Sequence, residues 1–497
     1  MQLDEYRSAL ERFHEAFHRE RYLHFSGLKE TFDLRRIFSE HSDLFRIEAV
    51  REIEAELERV PEHLEGRRKG LRKLRAFAIE RRFASAVSPL DQEIAELESG
   101  HTVVWDDANV PCLRLPALLA AEPDAARRRR LAELRMDALA RSNPLRRERH
   151  RILHAEAKAL GFRSTLDAYR SASGVDYERL AAMAGRILDA TRDDYLERLG
   201  RSLELRAGVR LSEAERCDLE YWSRTGDFDA FFPREELAAK IEDTFAGLGI
   251  DLDAQPGLAL DLEVRARKRP QAFCAPVRVP AEIKVVLLPR GGPDDYRSLL
   301  GEVGRAEHFL WTGGQLAAEQ RLVGDRALGE SFGFLFEDLV RDGVWLLDAM
   351  SAEREGEYLR LVALQRAWRV RRSAAKLGFE LRLEAGEAME NPGKEYAEIL
   401  RDGTGVRHDR EEYLEDHEDG LAAADRLRAW IFVAQWRDRL RAKFGAAWFR
   451  SRSVAKLLKE IWETGQLYGV DELSRELGLG PLDEAALLDE LLEGLRR

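Results

Sequence analysis

Apolar residues recur at intervals of three and four positions over most of this 497-residue chain. On a helix such residues share one face, so the spacing predicts amphipathic helices that pack against one another. Proline is scarce, at 15 residues, and we expect it between helices, as at Pro89, Pro111, Pro116 and Pro233. A mainly α fold follows. The predicted helices cover Leu10–Phe25, Ile47–Leu57, Leu131–Leu160, Tyr177–Leu205, Leu237–Leu248, Leu328–Val340, Glu353–Leu377, Gly420–Phe444, Ser453–Gly465 and Asp483–Leu495.

The segment 258–289 breaks this helical pattern. Alternation in Leu260–Val264 and the apolar run Ile283–Leu288 each predict a strand. Three prolines fall in the same segment and indicate that at least one strand is an edge strand or is irregular. We therefore predict a small sheet over 258–289. An extended peptide can add to the edge of such a sheet as a further strand.

A helix over 295–310 is predicted directly after the sheet. The turn between them is Gly291-Gly292-Pro293, and Asp294 or Asp295 is the expected N-cap. We divide the chain into an N-terminal helical region, 1–240, and a site-bearing region, 241–497, within one continuous body.

Composition and charge limit the partners and the compartment. The 80 basic residues against 92 acidic ones give a net charge of −12, which argues against nucleic acid and against an anionic membrane. The three cysteines are widely spaced and odd in number, which is typical of a reducing compartment. The N-terminal residues are acidic and amphipathic, without the apolar core of a signal peptide. The prediction is a soluble cytoplasmic protein.

The stretch 298–310 reads SLLGEVGRAEHFL. In a zincin helix the motif is His-Glu-x-x-His: two imidazoles four residues apart share a face and bind one zinc ion, while the glutamate acts on the bound water. In this chain the same frame has Gly301, Glu302 and Arg305. Glycine offers no donor atom, and arginine is a permanent cation, so neither can ligate zinc.

From about Leu160 onward the chain resembles the oligopeptidase F and thimet oligopeptidase family of zinc metallopeptidases. The likeness is strongest between Asp261 and Asp338, and its parts follow the family's order. The matching residues are Asp261, Arg265 and Lys268, then Ala272-Phe273-Cys274, then Leu299, Leu300, Glu302, Gly304, Ala306 and His308, and finally Glu330-Ser331.

This resemblance implies a prolate helical fold, a deep central channel and a small β-sheet beside the site helix. It implies that Glu302 is the remnant of the general base, and that Gly301, Arg305 and Glu330 stand at the three former zinc-ligand positions. The family also uses a histidine and tyrosines of a later helix. The matching segment here, 416–430, has His417 and Arg428 but no tyrosine. Because Gly301 and Arg305 cannot ligate a metal, we expect no zinc and no other cofactor.

Arg305 is expected to occupy the former zinc position and to bridge Glu330 or Glu302, because buried carboxylates need a compensating cation. His308 would be a metal ligand only in a rebuilt site, and packing is its expected role. Two other histidine pairs have four-residue spacing: His14 with His18, where Glu15 completes a bare motif, and His150 with His154, where Arg151 replaces the glutamate. Both are interpreted as ordinary helix residues.

The sequence therefore predicts a non-hydrolytic pseudopeptidase that binds a short peptide or a segment of a partner protein. A first alternative is an active hydrolase with a rebuilt metal site, from Glu302, His308, Glu330 and Glu337, or with metal-free Glu302 chemistry. A second alternative is a structural partner of an active paralogue. The oligomeric state is left open.

Overall fold

Helices make up most of the computed structural model, which describes residues 3–347 and 350–497. This mainly α architecture is what the three- and four-residue apolar spacing predicts. The helices are α1 Leu3–Phe25, α2 Leu34–Glu40, α3 Ile47–Arg59, α4 Glu65–Gly100, α5 Leu115–Ala121, α6 Ala125–Ala159, α7 Thr165–Ser173, α8 Tyr177–Ala190, α9 Arg192–Ala207 and α10 Arg216–Trp222. They continue as α11 Leu237–Leu248, α12 Pro293–Trp311, α13 Ala318–Leu322, α14 Arg326–Glu337, α15 Ala352–Ala385, α16 Pro392–Thr404, α17 Ala422–Phe444, α18 Arg452–Trp462, α19 Val470–Glu476 and α20 Ala485–Arg496.

The chain divides into two units. Unit 1 comprises Met1–Ile79, Thr225–Leu359 and Arg428–Leu487, and unit 2 comprises Glu80–Arg224, Arg360–Leu427 and Leu488–Arg497. The division into 1–240 and 241–497 stays a prediction; residue 240 itself lies inside α11. No helix in the described part of the chain is both long enough and apolar enough to cross a membrane.

Unit 1 contains the predicted small sheet, with strands β3 Leu258–Asp261, β4 Phe273–Arg278 and β5 Glu282–Val286. The strand order is β3-β5-β4, with β3 parallel and β4 antiparallel to β5. Strand β3 ends at Asp261, three residues before the predicted end at Val264. The reason is a buried ion pair, since the Lys268 ammonium donates to the Asp261 carboxylate (2.8 Å) and to the carbonyls of Asp261 (2.7 Å) and Glu263 (2.9 Å).

A second sheet, in unit 2, was missed by the sequence reasoning. Strands β1 Thr102–Trp105 and β2 Ala108–Pro111 form a two-stranded hairpin. Asp106 and Asp107 form its turn with φ angles of 50° and 62°, which aspartate tolerates better than most residues. The Asp-Asp pair between two short apolar runs is the signal that could have revealed it.

We expected Pro89 to lie between helices, but it lies inside α4. Pro144 likewise lies inside α6, so proline is not confined to the connections. Proline removes the N–H that would bond to the carbonyl four residues earlier. In α4 the hydroxyl of Ser88 donates to that carbonyl, Ser85 O, at 2.9 Å, so the acceptor is satisfied and the helix continues.

The site helix α12 begins at Pro293, two residues before the predicted start. Gly292 takes the N-cap position, with a φ of 89° that favours glycine. The prediction of Asp294 or Asp295 as the cap is therefore wrong. The Asp295 carboxylate instead accepts from the backbone N–H groups of Arg290 and Gly291, and so fixes the turn that precedes the helix.

Candidate functional site

The candidate site lies in unit 1, where α12 crosses α14 at close range. Gly304 makes this crossing possible. A Cβ atom at position 304 would lie 2.6 Å from the carbonyl oxygen of Phe332 and 2.6 Å from Cδ2 of Phe336, so no larger residue fits without a shift. The close crossing brings the side chains of Glu302 and Arg305 on α12 next to Glu330 on α14.

Arg305 contacts both carboxylates, as the sequence predicted. One guanidinium nitrogen, Nη1, donates to Oε1 of Glu302, and Nη2 donates to Oε2 of Glu330 at 2.7 Å. The three side chains are 21%, 13% and 34% exposed, respectively, so the pair with Glu302 is largely withdrawn from water. Burial works against the charge, but Glu302, Glu330 and Glu337 outweigh it and raise the pKa of Arg305.

Gly333 provides the space for this guanidinium. A Cβ atom at position 333 would lie 2.9 Å from Cζ of Arg305, so the lack of a side chain on α14 lets the arginine lie flat against that helix. The sequence reasoning missed Gly333. The signal was available: a glycine three residues after Glu330, inside an apolar helix, usually has a packing reason.

Glu302 lies between the arginine and the sheet. Its carboxylate accepts a hydrogen bond from the backbone of Cys274 in β4. Burial raises the pKa of Glu302, and the charge of Arg305 opposes that rise. The carboxylate therefore connects the site helix to the terminal strand of the sheet.

Position 301 has room for a small side chain. A Cβ atom there would meet Cβ of Glu337 at 3.4 Å, which is ordinary van der Waals contact. The crossing of α12 and α14 thus demands glycine at position 304 but not at position 301.

His308 is a buried packing residue. Its Nε2 atom donates to the carbonyl of Gly465 at 2.9 Å, and its ring lies 4.6 Å from the ring of Phe332. Burial lowers the pKa of His308 to about 4, so the ring is neutral at pH 7. The Nε2 atom of His308 is therefore engaged with the backbone.

Arg428 acts as a clamp on the start of α14. It forms a two-pronged pair with Asp325 (2.9 and 2.6 Å) and also contacts Asp471 at 2.7 Å. Asp325 is the N-cap of α14 and accepts from Ala327 N as well. Arg428 thereby fixes the helix that carries Glu330, and its positive charge lowers the pKa of Asp325 against the effect of burial.

His417 belongs to unit 2, whereas the α12–α14 site belongs to unit 1. It lies between two buried carboxylates of α15, with its Nε2 atom 2.6 Å from Oε1 of Glu384 and its Nδ1 atom 3.6 Å from Oε1 of Glu380. Burial opposes the charge, but the two carboxylates raise the pKa of His417 to about 10. Glu380 and Glu384 were not singled out from the sequence, because nothing local marks a glutamate that will be buried.

The α12–α14 donor set does not fit a zinc ion. Of the three positions that the resemblance assigns to zinc ligands, only Glu330 carries a ligating side chain, and its Oε2 atom accepts from Arg305. In the described part of the chain no group of three metal-ligating side chains includes Glu302, His308, Glu330 or Glu337. The crossing is therefore occupied by a cation that belongs to the chain.

Comparison with known proteins agrees with the fold. No family model matches the sequence, and no curated protein matches it. Among solved structures, the chain is similar to one described as "a putative oligoendopeptidase F from Bacillus anthracis str. Ames". The TM-score is 0.61 at 14% sequence identity, over 95% of this chain and 84% of that chain. The protein therefore has an oligoendopeptidase F-like helical fold, as predicted.

Proposed function

We propose that this protein is a peptidase-like protein that does not hydrolyse peptides, and that it binds an extended peptide or a segment of a partner protein. The observation that carries the proposal is the position of the Arg305 guanidinium, in contact with both Glu302 and Glu330. The resemblance places a zinc ion between these residues in active peptidases.

Hydrolysis of this type needs a metal that polarises the scissile carbonyl and lowers the pKa of its bound water. A guanidinium offers only N–H donors and coordinates no water as a Lewis acid. Glu302, already paired with Arg305, would then have no activated nucleophile from which to take a proton. The chemistry of these residues supports the proposed loss of catalysis.

The small sheet supports the peptide-binding part of the proposal. Strand β4 is terminal in the order β3-β5-β4, and no strand of the described chain lies along its outer edge. Backbone groups on such an edge can pair with an added strand. Because the Glu302 carboxylate bonds to the backbone of Cys274, strand β4 lies directly beside the α12–α14 crossing.

A cleavage assay tests the loss of catalysis. Quenched fluorescent peptides of mixed sequence would be incubated with the protein, with added zinc or with chelator, and the products read by mass spectrometry. We expect no cleavage above the protein-free rate. Chelator-sensitive cleavage that disappears in Glu302→Gln would overturn the proposal, and chelator-insensitive cleavage lost in the same variant would favour metal-free Glu302 chemistry instead.

The matched variant for this assay carries both Gly301→His and Arg305→His. Position 301 accepts a Cβ atom, and replacing Arg305 frees the Oε2 atom of Glu330. We expect this variant, unlike the natural chain, to bind zinc at the α12–α14 crossing. Zinc uptake by the variant with no gain over the natural chain would show that the crossing is not the place of the lost site.

Hydrogen exchange tests the binding surface. We expect peptides that bind to slow amide exchange in residues 273–278, since an added strand would take up the outer N–H groups of β4. The hairpin β1–β2 serves as the control region, where no change is expected. Binding without slower exchange in β4 would rule out strand addition.

A further inference from the structure

A second cluster of metal-ligating side chains lies in unit 2. His150 and His154 are one turn apart on α6, and their Nε2 atoms face each other at 3.0 Å. The ring planes are nearly perpendicular, at 81°, with centroids 4.5 Å apart. Two imidazole nitrogens this close together can bind one metal ion when the hydrogen bond between them is replaced by the ion.

A carboxylate from another helix completes the group. Ligand atoms of His150, His154 and Glu384 all lie within 4.8 Å of one another, and among the described residues this is the group in which three such ligands converge. Glu384 is fully buried on α15, while both histidines are half-buried. The group is thus fully buried at Glu384 and only partly buried at the two histidines.

The ligand atoms are held in place by further contacts. The Thr165 hydroxyl donates to Oε2 of Glu384, and His417 contacts Oε1 of the same carboxylate at 2.6 Å. The ring of His154 also bonds to the backbone of Leu383. Such outer contacts orient metal ligands and fix the histidine tautomer.

We propose that His150, His154 and Glu384 form a binding site for one divalent transition-metal ion of the zinc class, with one coordination position open to water. Two imidazoles and a carboxylate suit zinc, and also cobalt as a substitute, better than calcium or magnesium. This site is separate from the proposed function of the α12–α14 crossing, and neither depends on the other.

The site is expected to join α6 to α15 rather than to cleave peptides. The residue after His150, where a zincin carries its general base, is Arg151. Arg151 is exposed and pairs with Glu148 at 2.7 Å, so it offers no base to a bound water. A structural ion that ties two long helices together is the role that remains.

Calorimetric titration of the chelator-treated full chain with zinc chloride tests the proposal. We expect one zinc ion per chain in the natural protein. His154→Ala and Glu384→Gln should each weaken zinc binding by at least about 10- to 100-fold. That is the loss of affinity seen when only an outer contact of a metal ligand is removed. Cobalt should give visible absorption bands in the natural protein that these variants lose.

The matched control is the double variant His14→Ala/His18→Ala. That pair has the same spacing and the full His-Glu-x-x-His order, and its rings lie 4.3 Å apart, yet it belongs to no group of three ligands in the described chain. The control should bind zinc like the natural protein. Zinc binding that is lost in the control but kept in His154→Ala would overturn the assignment, as would no zinc binding by the natural chain.

A measurement on the natural chain covers the case in which a variant fails to fold. Diethyl pyrocarbonate modifies accessible neutral histidines, and mass spectrometry locates the modified residues. Zinc should protect His150 and His154 and leave His14 and His18 as reactive as before. Equal reactivity of all four with and without zinc would refute the site. Zinc bound at the α12–α14 crossing would survive His154→Ala, so the two sites can be told apart.

Discussion

The helices α12 and α6 each contain a five-residue frame of the His-Glu-x-x-His type, at 301–305 and 150–154. The two frames match different parts of that motif. On α12 the frame has the glutamate, Glu302, with Gly301 and Arg305 at the two histidine positions. On α6 it keeps both histidines, His150 and His154, and has an arginine in place of the glutamate. In each case a glutamate from a second helix completes the group: Glu330 from α14 and Glu384 from α15.

The difference shows how the cation is supplied. In unit 1 the chain provides its own cation, Arg305, which contacts two carboxylates. In unit 2 Glu384 already contacts His417, and we propose that a metal ion from solution is a further cation, bound by this carboxylate together with His150 and His154. A histidine motif read along one helix therefore says little until the third ligand from another helix is known.

Removing the built-in cation should have the largest effect. Arg305→Ala leaves Glu302 and Glu330 close together without their partner, and we expect a loss of about 3 kcal/mol in the free energy of unfolding. Urea melts at pH 7 measure it. The matched control is Arg36→Ala on α2, which also contacts two carboxylates, Asp33 and Glu40, but through exposed side chains, so these pairs are worth about 1 kcal/mol or less. A loss below about half a kcal/mol for Arg305→Ala would contradict the bridging role.

Adding zinc should stabilise the fold around His150, His154 and Glu384. At a free zinc concentration 100 times its dissociation constant, binding adds about 2.7 kcal/mol. Hydrogen exchange should then slow by up to about 100-fold around His150 and Glu384 in α6 and α15, and stay unchanged in α12. Slower exchange in α12 alone would show that zinc binds at the α12–α14 crossing instead. That result would contradict the site proposed at His150, His154 and Glu384.

A second buried carboxylate on α12, Glu307, has neutral hydrogen-bond partners. Glu307 is fully buried and accepts from Gln255 Nε2 (3.1 Å) and Trp311 Nε1 (3.0 Å), and burial raises its pKa to about 7. A raised carboxyl pKa means that the folded state binds the proton more tightly. Stability is therefore greatest below the unfolded pKa, near 4.5, and falls as the pH rises toward 7.

Glu307→Gln should remove this fall. We expect the variant to be about 2 kcal/mol more stable than the natural chain at pH 8 and no more stable at pH 4, as measured by urea melts at both values. The exposed carboxylate Glu460 provides the control variant, Glu460→Gln, which should leave the pH profile unchanged. Parallel pH profiles for Glu307→Gln and the natural chain would show that Glu307 is not protonated on folding.

The smallest effect concerns position 301. Gly301→Ala adds a Cβ atom at ordinary contact distance and removes glycine from a helix interior, so we expect a gain of about 0.5–1 kcal/mol. Gly304→Ala on the same helix is the control. Its Cβ atom would meet the Phe332 backbone at 2.6 Å, and a loss of about 1–3 kcal/mol is expected. Thermal melts of the two variants should move in opposite directions.

Much of the fold follows from local pattern. The three- and four-residue spacing located most of the long helices, and the alternating and apolar runs located the sheet beside α12. Local pattern failed at the hairpin β1–β2, which has only four residues in each strand. It also failed where the long predicted helix Tyr177–Leu205 is split at Thr191, whose hydroxyl donates to Ile187 O and accepts from buried Arg371.

The candidate site was only partly predictable. Glu302, Arg305 and Glu330 could be placed together because the resemblance supplied the second helix. Gly333 was missed, since its importance lies in the room that it leaves for Arg305. The grouping of His150 and His154 with Glu384 was also missed. The interpretation of that pair as ordinary helix residues stays a prediction, and the proposed metal site is the alternative to it.

The sequence alone determined which side chains can and cannot hold a metal, because donor chemistry belongs to the residue. Gly301 and Arg305 exclude themselves wherever they lie. It also determined the helices, because their periodicity repeats within a few residues. Only the tertiary structure decided which carboxylate meets which frame. Glu384 reaches His150 and His154 through the packing of α15 against its neighbours, and that contact depends on many distant residues at once rather than on any local spacing.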